Sequence, residues 1–412
     1  MSAPGTPVTS AASLPDADVD PSPPSSSKKT REAWWSRYAA SNSSNLSFVK
    51  PPEPFDPKGR RLLLSLDGGG VRGLSSILIL KHIMDELNAH REKRLEPWQV
   101  FDMIGGTSTG GLIAIMLGHL KMSIDNTQAA YNKLSREVFG PRRSKYNLPG
   151  KLLDIIRLYN ILRVNAKFDS KRLEEAIRRT IATSSHDPDA PFHAQGNEPD
   201  CRVLVCSTHQ SDGSLAILSN FKLEGSTQDP VGNVKIWEAA RATSAATRFF
   251  DPIKIGDFKL GHVDGAFGNN NPIRTVWSQA NHLWVRERNP PEFFVLSIGT
   301  GEATRPGIGG GWSSIIRTLI KIATQTEQTA DEFSDDHRDL IQDEMLYRFN
   351  VAHGLETVHL DEYKHMNMIA GATKTYLNRP ATEDVLARCV RKLKILTQCN
   401  YLSPASYYQS IR

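Results

Sequence analysis

Short apolar runs alternate with segments of helical periodicity over most of the chain after residue 60. The runs are continuous rather than alternating, which is typical of strands buried on both faces of a sheet. The predicted strands are Arg61–Leu66, Trp98–Ile104, Arg202–Cys206, Phe258–Val263 and Glu292–Ile298. Helical patterns at Leu74–His90 and Gly111–Leu120 follow the first two. This alternation predicts an α/β fold with helices on both faces of the sheet.

The polar positions divide the chain into three regions. Residues 1–58 are rich in Pro, Ser, Ala and Asp, so we expect this segment to be disordered. A tryptophan pair at Trp34 and Trp35 interrupts it, and such a pair suits either a membrane interface or the protein surface. We expect the main domain over 59–300 and a mainly helical extension packed on it over 301–412.

Composition excludes several classes of protein. At 412 residues, with 39% hydrophobic and 23% charged residues, the chain is typical of a globular protein. No apolar stretch approaches the ~18 residues of a membrane span, and the N-terminus has no signal-peptide pattern. The four cysteines lack metal-site spacing. We therefore expect a cytoplasmic location, with thiols in a reducing compartment.

Positive charge is concentrated between residues 140 and 179, where eleven Lys or Arg face four Asp or Glu. An anionic membrane surface, nucleic acid and a plain solvated helix face would each account for such a stretch. No nucleic-acid-binding motif accompanies it, so we expect no nucleic-acid partner. Peripheral contact with a membrane stays open.

The candidate chemistry begins at Gly106-Thr107-Ser108-Thr109-Gly110, between a predicted strand and a predicted helix. A Gly-x-Ser-x-Gly sequence in that context is typical of a nucleophilic serine on a sharp, strained turn. The serine hydroxyl then lies at the positive end of a helix, which favours developing negative charge. A flexible glycine turn is the alternative interpretation.

A second glycine motif, from Gly68 to Gly73, follows the first strand. It matches a dinucleotide-binding pattern, but the polar segment 88–96 lacks the second strand and acidic residue of that fold. The alternative is an oxyanion hole, in which the backbone N–H groups of Gly68, Gly69 and Gly70 converge on one oxygen. A structural turn would also explain the glycines if Ser108 is not a nucleophile.

A serine nucleophile needs a base, and the best downstream candidate is Asp264, which ends a strand-like stretch before Gly265. Burial would raise the pKa of this carboxylate and make it a better base. His262 lies two residues earlier and is interpreted as a neighbour. A Ser-His-Asp triad would instead need a histidine after Asp264, for which His282 and His337 are the nearest candidates.

Three motifs in this order, DGGGVRG, GTSTG and VDGAFGNNNP, resemble the patatin-like phospholipase family, most closely its fungal branch. The resemblance covers about 60–300 and continues weakly to about 370. It implies a three-layer α/β/α fold with a mostly parallel central sheet and added C-terminal helices. The final motif reads Asp-Gly-Ala where Asp-Gly-Gly is common, and the aspartate is kept.

The same resemblance implies a catalytic dyad and its surroundings. Ser108 and Asp264 would form the dyad, the three glycines would line the oxyanion hole, and Arg72 would order that loop or meet the lipid phosphate. No metal or other cofactor is expected. The substrate would be a phospholipid or an acylglycerol.

The sequence therefore predicts a lipid acyl hydrolase of the phospholipase A or lysophospholipase type. Two alternatives stay open at this point. One is an α/β-hydrolase esterase with a full triad, and the other is a lipid-binding or scaffold protein on a hydrolase fold.

Overall fold

The structure is a computed structural model that describes the chain in segments. The described residues are 59–140, 168–193, 198–223, 233–246, 249–256, 258–285, 291–302, 314–355, 358 and 361–398, with 267 and 314–324 described by their backbone alone. The predicted disordered segment 1–58 and residues 141–167 of the basic stretch lie outside these ranges.

Eight strands form one mixed sheet. They are β1 (Arg60–Leu66), β2 (Met103–Thr107), β3 (Arg202–His209), β4 (Leu215–Ser219), β5 (Ile253–Ile255), β6 (Leu260–Asp264), β7 (Glu292–Ile298) and β8 (Leu346–Phe349). Each strand is hydrogen-bonded to the next one in the series β5-β6-β3-β2-β1-β7-β8. Strand β4 is also paired with β3. The pairs from β3 through β2, β1 and β7 to β8 are all parallel. The three pairs that involve β4, β5 and β6 are antiparallel.

Twelve α-helices occur in the described part of the chain. They are α1 (Gly73–Asn88), α2 (Pro97–Val100), α3 (Thr109–Ala114), α4 (Ile124–Phe139), α5 (Ser170–Thr183), α6 (Ile236–Thr243), α7 (Ala266–Asn269), α8 (Ile273–Trp284), α9 (Ser314–Asp336), α10 (Arg338–Gln342), α11 (Met366–Leu377) and α12 (Pro380–Gln398). Short 3₁₀ turns occupy Gly70–Arg72 and Tyr363–His365, and a π-helical turn at Ile115–His119 extends α3.

The side chains of successive residues in each central strand pack into two separate cores, one on each face of the sheet. In β1, Leu62, Leu64 and Leu66 join the core beneath α1, α3, α4, α5 and α6, whereas Leu63 joins the core beneath α8 and α9. Successive side chains of a strand point to opposite faces, so a continuous apolar run is buried on both. The predicted three-layer α/β/α arrangement with a mostly parallel sheet is confirmed.

One predicted strand was placed too early. Residues 98–104 were expected to be extended, but Pro97–Val100 form the short helix α2 and the strand runs over Met103–Thr107. Pro97 occupies the first turn of the helix, where its missing N–H costs nothing. Gln99 Oε1 accepts a hydrogen bond from the backbone N–H of Glu96 and so helps to cap the helix.

The segment after residue 300 supplies both helices and sheet. Strand β8 pairs in parallel with β7, so the sheet continues past the expected boundary at 300. Helix α9 contributes Phe333 to the core on one face. Helices α11 and α12 contribute Ile369 and Leu393 to the core on the other face. The division into 59–300 and 301–412 stays a prediction.

Within the described ranges, no helix combines the length and apolar character needed to cross a membrane. Part of the basic stretch is also described. Arg178 forms ion pairs with Glu174 and Asp189, and Arg179 with Glu137. These partners neutralise part of the local charge, and the membrane role of the stretch stays a prediction.

Candidate active site

Ser108 is the single residue between β2 and α3 and holds a strained backbone, with φ 54° and ψ −124°. Side chains with a Cβ are disfavoured at such positive φ, and strain of this kind concentrates at functional sites. The flanking glycines are required by space. A Cβ at Gly106 would lie 2.2 Å from the Gly110 carbonyl oxygen, and one at Gly110 would lie 2.2 Å from the Leu66 carbonyl oxygen.

Strand β3 brings Asp264 to the serine. Strand β4 pairs with residues 204–208 of β3 along one edge, so β2 and β6 must share the other edge. On that shared edge Cys206 pairs with Thr107, and the next residue, Ser207, pairs with Asp264. The C-terminal ends of β2 and the antiparallel β6 therefore meet, which places Asp264 beside the turn that carries Ser108.

The two side chains are hydrogen-bonded directly. Ser108 Oγ donates to Asp264 Oδ2 over 2.7 Å, and the backbone N–H of Ala266 donates to Asp264 Oδ1 over 2.8 Å. The Asp264 backbone is held as well, because its N–H donates to the Ala245 carbonyl. Each carboxylate oxygen therefore accepts one hydrogen bond, and the donor to Oδ2 is the serine hydroxyl.

The surroundings of Asp264 make it a stronger base than an exposed aspartate. Burial raises the pKa of Asp264 from 3.8 to about 7, because a carboxylate loses solvation in the interior. The hydrogen bonds from Ser108 and Ala266 and the charge of Arg241 oppose this increase. A carboxylate with a pKa near 7 is suited to proton transfer at neutral pH.

Helix α6 supplies two residues of this site that the sequence motifs do not mark. Thr243 Oγ1 accepts the backbone N–H of Ser108 over 2.9 Å and donates to the Cys206 carbonyl, so it ties the turn to β3. Arg241 is buried, and its charge acts on Asp264. An arginine inside the small-residue run from Ala239 to Ala246 was the available signal.

Two of the three glycine N–H groups are engaged within the protein. The N–H of Gly68 donates to the Asn270 carbonyl, and that of Gly69 donates to Thr109 Oγ1. The N–H groups of Gly70, with φ 55°, and of Thr109, at the start of α3, have no acceptor among the described residues. The donors available to a bound oxygen are therefore fewer than the glycine count suggests.

Several residues outside the predicted set fix the glycine loop. The Gly68 carbonyl accepts hydrogen bonds from Thr300 Oγ1 and Asn270 Nδ2. On the other side of the loop, the Tyr131 hydroxyl donates to the Gly70 carbonyl. A Cβ at Gly69 would lie 2.1 Å from Thr300 Oγ1, so only glycine fits there.

Arg72 lies at the end of the same loop. Its backbone N–H donates to the Gly69 carbonyl over 3.1 Å, which closes the turn. The residue is 9% exposed, and burial lowers the pKa of its guanidinium to about 10. Its Nε has no hydrogen-bond partner in the described part of the chain. A buried cation of this kind is suited to an anionic group.

The candidate triad histidines make their contacts elsewhere. His262 is buried and contacts Ser207 and the His209 ring. His282 bonds Ser278 on its own helix, and His337 stacks on Phe333. The described residues contain no cluster of three His, Cys, Asp or Glu that suits a metal ion.

The sequence pattern of one family decides the assignment of this chain. The patatin-like phospholipase model matches residues 64–277, just over half of the protein, and the match spans the glycine loop, Ser108 and Asp264. The chain belongs to the patatin-like phospholipase family. The resemblance noted from its three motifs is thus confirmed at the level of the family.

Similar proteins carry phospholipase names. The calcium-independent phospholipase A2-gamma of Oryctolagus cuniculus is 26% identical over 331 residues, which are 78% of this chain and 38% of that protein. The phospholipase A I of Arabidopsis thaliana is 26% identical, over 74% of this chain and 26% of that protein. The cGAMP-activated phospholipase of Vibrio cholerae is 30% identical, over 54% and 58% respectively. The chain thus spans about two fifths of the rabbit relative.

Proposed function

We propose that this patatin-like protein is a lipid acyl hydrolase of the phospholipase A or lysophospholipase type. It cleaves fatty acyl esters of membrane lipids through a Ser108–Asp264 dyad and an acyl-enzyme. The observation that carries the proposal is the 2.7 Å hydrogen bond from Ser108 Oγ to a buried carboxylate oxygen with a pKa of about 7. The names of its relatives support the substrate class.

In the acylation step, Ser108 Oγ attacks the ester carbonyl carbon while its proton moves to Asp264 Oδ2. The carbonyl oxygen becomes negatively charged. The N–H groups of Gly70 and Thr109 are the donors proposed to stabilise it, within the loop of Gly68 to Gly70. Collapse of the tetrahedral intermediate breaks the ester bond, and the departing alcohol oxygen takes the proton from Asp264.

In the deacylation step, a water molecule replaces the departed alcohol. Asp264 takes one of its protons as the water oxygen attacks the acyl carbonyl. Collapse of the second tetrahedral intermediate breaks the bond between the acyl carbon and Ser108 Oγ, and the proton returns to that oxygen. The products are a fatty acid and a lysolipid or a deacylated glycerol, and no metal takes part.

Arg72 supports a phospholipid over a neutral acylglycerol as the substrate. Its buried guanidinium lies at the end of the glycine loop and has no counter-ion among the described residues. The phosphate of a phospholipid would supply that counter-ion. Such a substrate resides in a membrane, so the enzyme acts in peripheral contact with a lipid surface.

A covalent probe and product analysis test the proposal together. A fluorophosphonate is expected to label Ser108 in the full chain, as located by peptide mass spectrometry. With vesicles of phosphatidylcholine carrying different acyl chains at the two glycerol positions, the wild type should release fatty acid. Ser108→Ala should lower the release about 10⁴-fold or more.

The exposed Ser278 on α8 is a matched control, because Ser278→Ala should retain both labelling and hydrolysis. Full hydrolysis by Ser108→Ala would overturn the assignment of the nucleophile. A wild type that binds vesicles but is neither labelled nor active would instead favour the lipid-binding or scaffold alternative.

A further inference from the structure

An ion cluster lies at the carboxyl ends of three adjacent strands, next to the glycine loop. Ser65 of β1, Ser297 of β7 and Arg348 of β8 share one register across the sheet and therefore one face. Asp67 follows Ser65 by two residues, on the same face. The side chain of Arg348 therefore faces the position of Asp67 across β7.

Arg348 uses its guanidinium to join three elements. Its Nη2 donates to Asp67 Oδ2 and to Glu327 Oε1 of α9, each over 2.8 Å, and its Nη1 donates to Ser297 Oγ over 2.8 Å. Asn350 Nδ2 donates to the same Glu327 oxygen, which orders that carboxylate. One arginine thus connects the end of β1 to α9 and β7.

Asp67 depends on this arginine. Its side chain is 1% exposed, and its Oδ1 has no hydrogen-bond partner among the described residues. Burial raises the pKa of Asp67 to about 6, and the charge and hydrogen bond of Arg348 act in the opposite direction. A carboxylate buried in this way is costly unless it is paired, so its position follows the position of Arg348.

Asp67 is also the first residue after β1 and directly precedes Gly68. The backbone N–H of Asp67 donates to the Ile298 carbonyl. The carbonyl of the following residue, Gly68, accepts a hydrogen bond from Thr300 Oγ1. A shift of the Asp67 side chain would therefore be transmitted through one peptide unit to the loop that faces Ser108.

We propose that Arg348 is a positioning residue for the glycine loop of Gly68 to Gly70, which it holds in its active geometry through Asp67 and Gly68. This inference rests on the proposed function and extends it to residues beyond the region that the family model matches, because Arg348 and Glu327 lie after residue 277. The C-terminal segment is thus part of the machinery that aligns the loop.

The test is Arg348→Lys in the full chain, because a single ammonium cannot reproduce a planar guanidinium with several fixed donors. Active sites are counted by fluorophosphonate labelling, and kcat is expressed per labelled site. We expect kcat to fall about 10- to 100-fold while KM stays within about twofold. The affinity for a fatty acyl trifluoromethyl ketone, which forms an oxyanion on Ser108, should fall by the same factor.

Asp67→Asn provides a second approach if Arg348→Lys does not fold, since it keeps the shape of the side chain and removes its charge. We expect the same loss of kcat and of ketone affinity, and the double variant should lose little more than either single one. The exposed Arg338, paired with Asp335, is the matched control, and Arg338→Lys should leave both quantities unchanged.

A purely structural role would lower the number of labelled sites and leave kcat per site unchanged, and that result would overturn the proposal. A 10- to 100-fold rise in KM with an unchanged kcat would also contradict the proposal. Failure of the proposed function gives a different result, because the wild type would then be inactive or Ser108→Ala would be active.

Discussion

Ser108 Oγ lies 2.7 Å from Asp264 Oδ2, although 156 residues separate the two in sequence. The contact exists because β2 and β6 share one edge of β3, so that their ends meet at Cys206 and Ser207. In the proposed dyad the base reaches the nucleophile directly and needs no intervening imidazole.

The rate of hydrolysis should depend on pH through the protonation of Asp264. The base must be deprotonated, and the pKa of Asp264 is raised to about 7 by burial. We therefore expect kcat/KM to rise about tenfold per pH unit below 7 and to level off above it. Initial rates on vesicles between pH 5 and 9 measure this profile. A midpoint near 4, the ordinary value for an aspartate, would contradict the raised pKa of Asp264, and a rate that does not change between pH 5 and 9 would do the same.

The raised pKa of Asp264 also makes stability depend on pH, and stability should fall as pH rises whereas the rate of hydrolysis increases. The folded state holds the Asp264 proton more tightly than the unfolded state, so stability from this group is present at low pH and is lost as pH rises through about 7. Asp264→Asn removes that dependence. Relative to the wild type, the variant should gain roughly 2 kcal/mol of unfolding free energy between pH 5 and pH 7. Urea titrations at both pH values measure the gain, and an unchanged difference would contradict the prediction.

A dyad predicts that the histidines are dispensable. We expect His262→Asn, His282→Asn and His337→Asn each to keep kcat/KM per labelled site within about threefold of the wild type. In a triad, loss of the histidine would cost about 10⁴-fold. Expressing rates per fluorophosphonate-labelled site separates catalysis from any loss of stability at the buried His262. A collapse of the rate in one variant would restore the triad alternative.

The strained backbone at Ser108 predicts a difference between two inactive variants. Ser108→Gly and Ser108→Ala both lack the hydroxyl, so they differ only in the Cβ at φ 54°. Glycine tolerates this conformation, and Ser108→Gly should therefore be more stable by about 1 kcal/mol. Chemical denaturation of the two variants side by side measures this difference. Equal stabilities would show that the turn relaxes without cost.

Substitution of a turn glycine by alanine should lower stability, whereas the same substitution at an exposed helical glycine should raise it. Gly106→Ala would place a Cβ 2.2 Å from a backbone oxygen and should cost about 3 kcal/mol or more. Gly371 lies in α11 with open space around it, so Gly371→Ala should instead raise stability by about 0.5–1 kcal/mol. Thermal unfolding of both variants tests the contrast, and a Gly106→Ala protein as stable as the wild type would contradict it.

Local sequence was sufficient for much of the fold. Continuous apolar runs predicted the buried strands, and β7 was placed at Glu292–Ile298 with the observed bounds. The run at residues 98–104 was misread, because Pro97 and the capping Gln99 favour a helical turn that an apolar pattern does not report. The two glycine motifs marked the turns where a Cβ has no room.

The partners of these turns depended on distant pairing. Helix α6 brings Thr243 and Arg241 to the site, and β8 brings Arg348 to Asp67. Nothing in their local sequence encodes the tertiary packing that places them there. Ser108 and Asp264 could be proposed as site residues from the sequence because glycine spacing and strand ends are local properties of the backbone. The contacts that set their burial and pKa values include the Ser108–Asp264 hydrogen bond, which spans 156 residues and exists only once β2, β3 and β6 have assembled into one sheet.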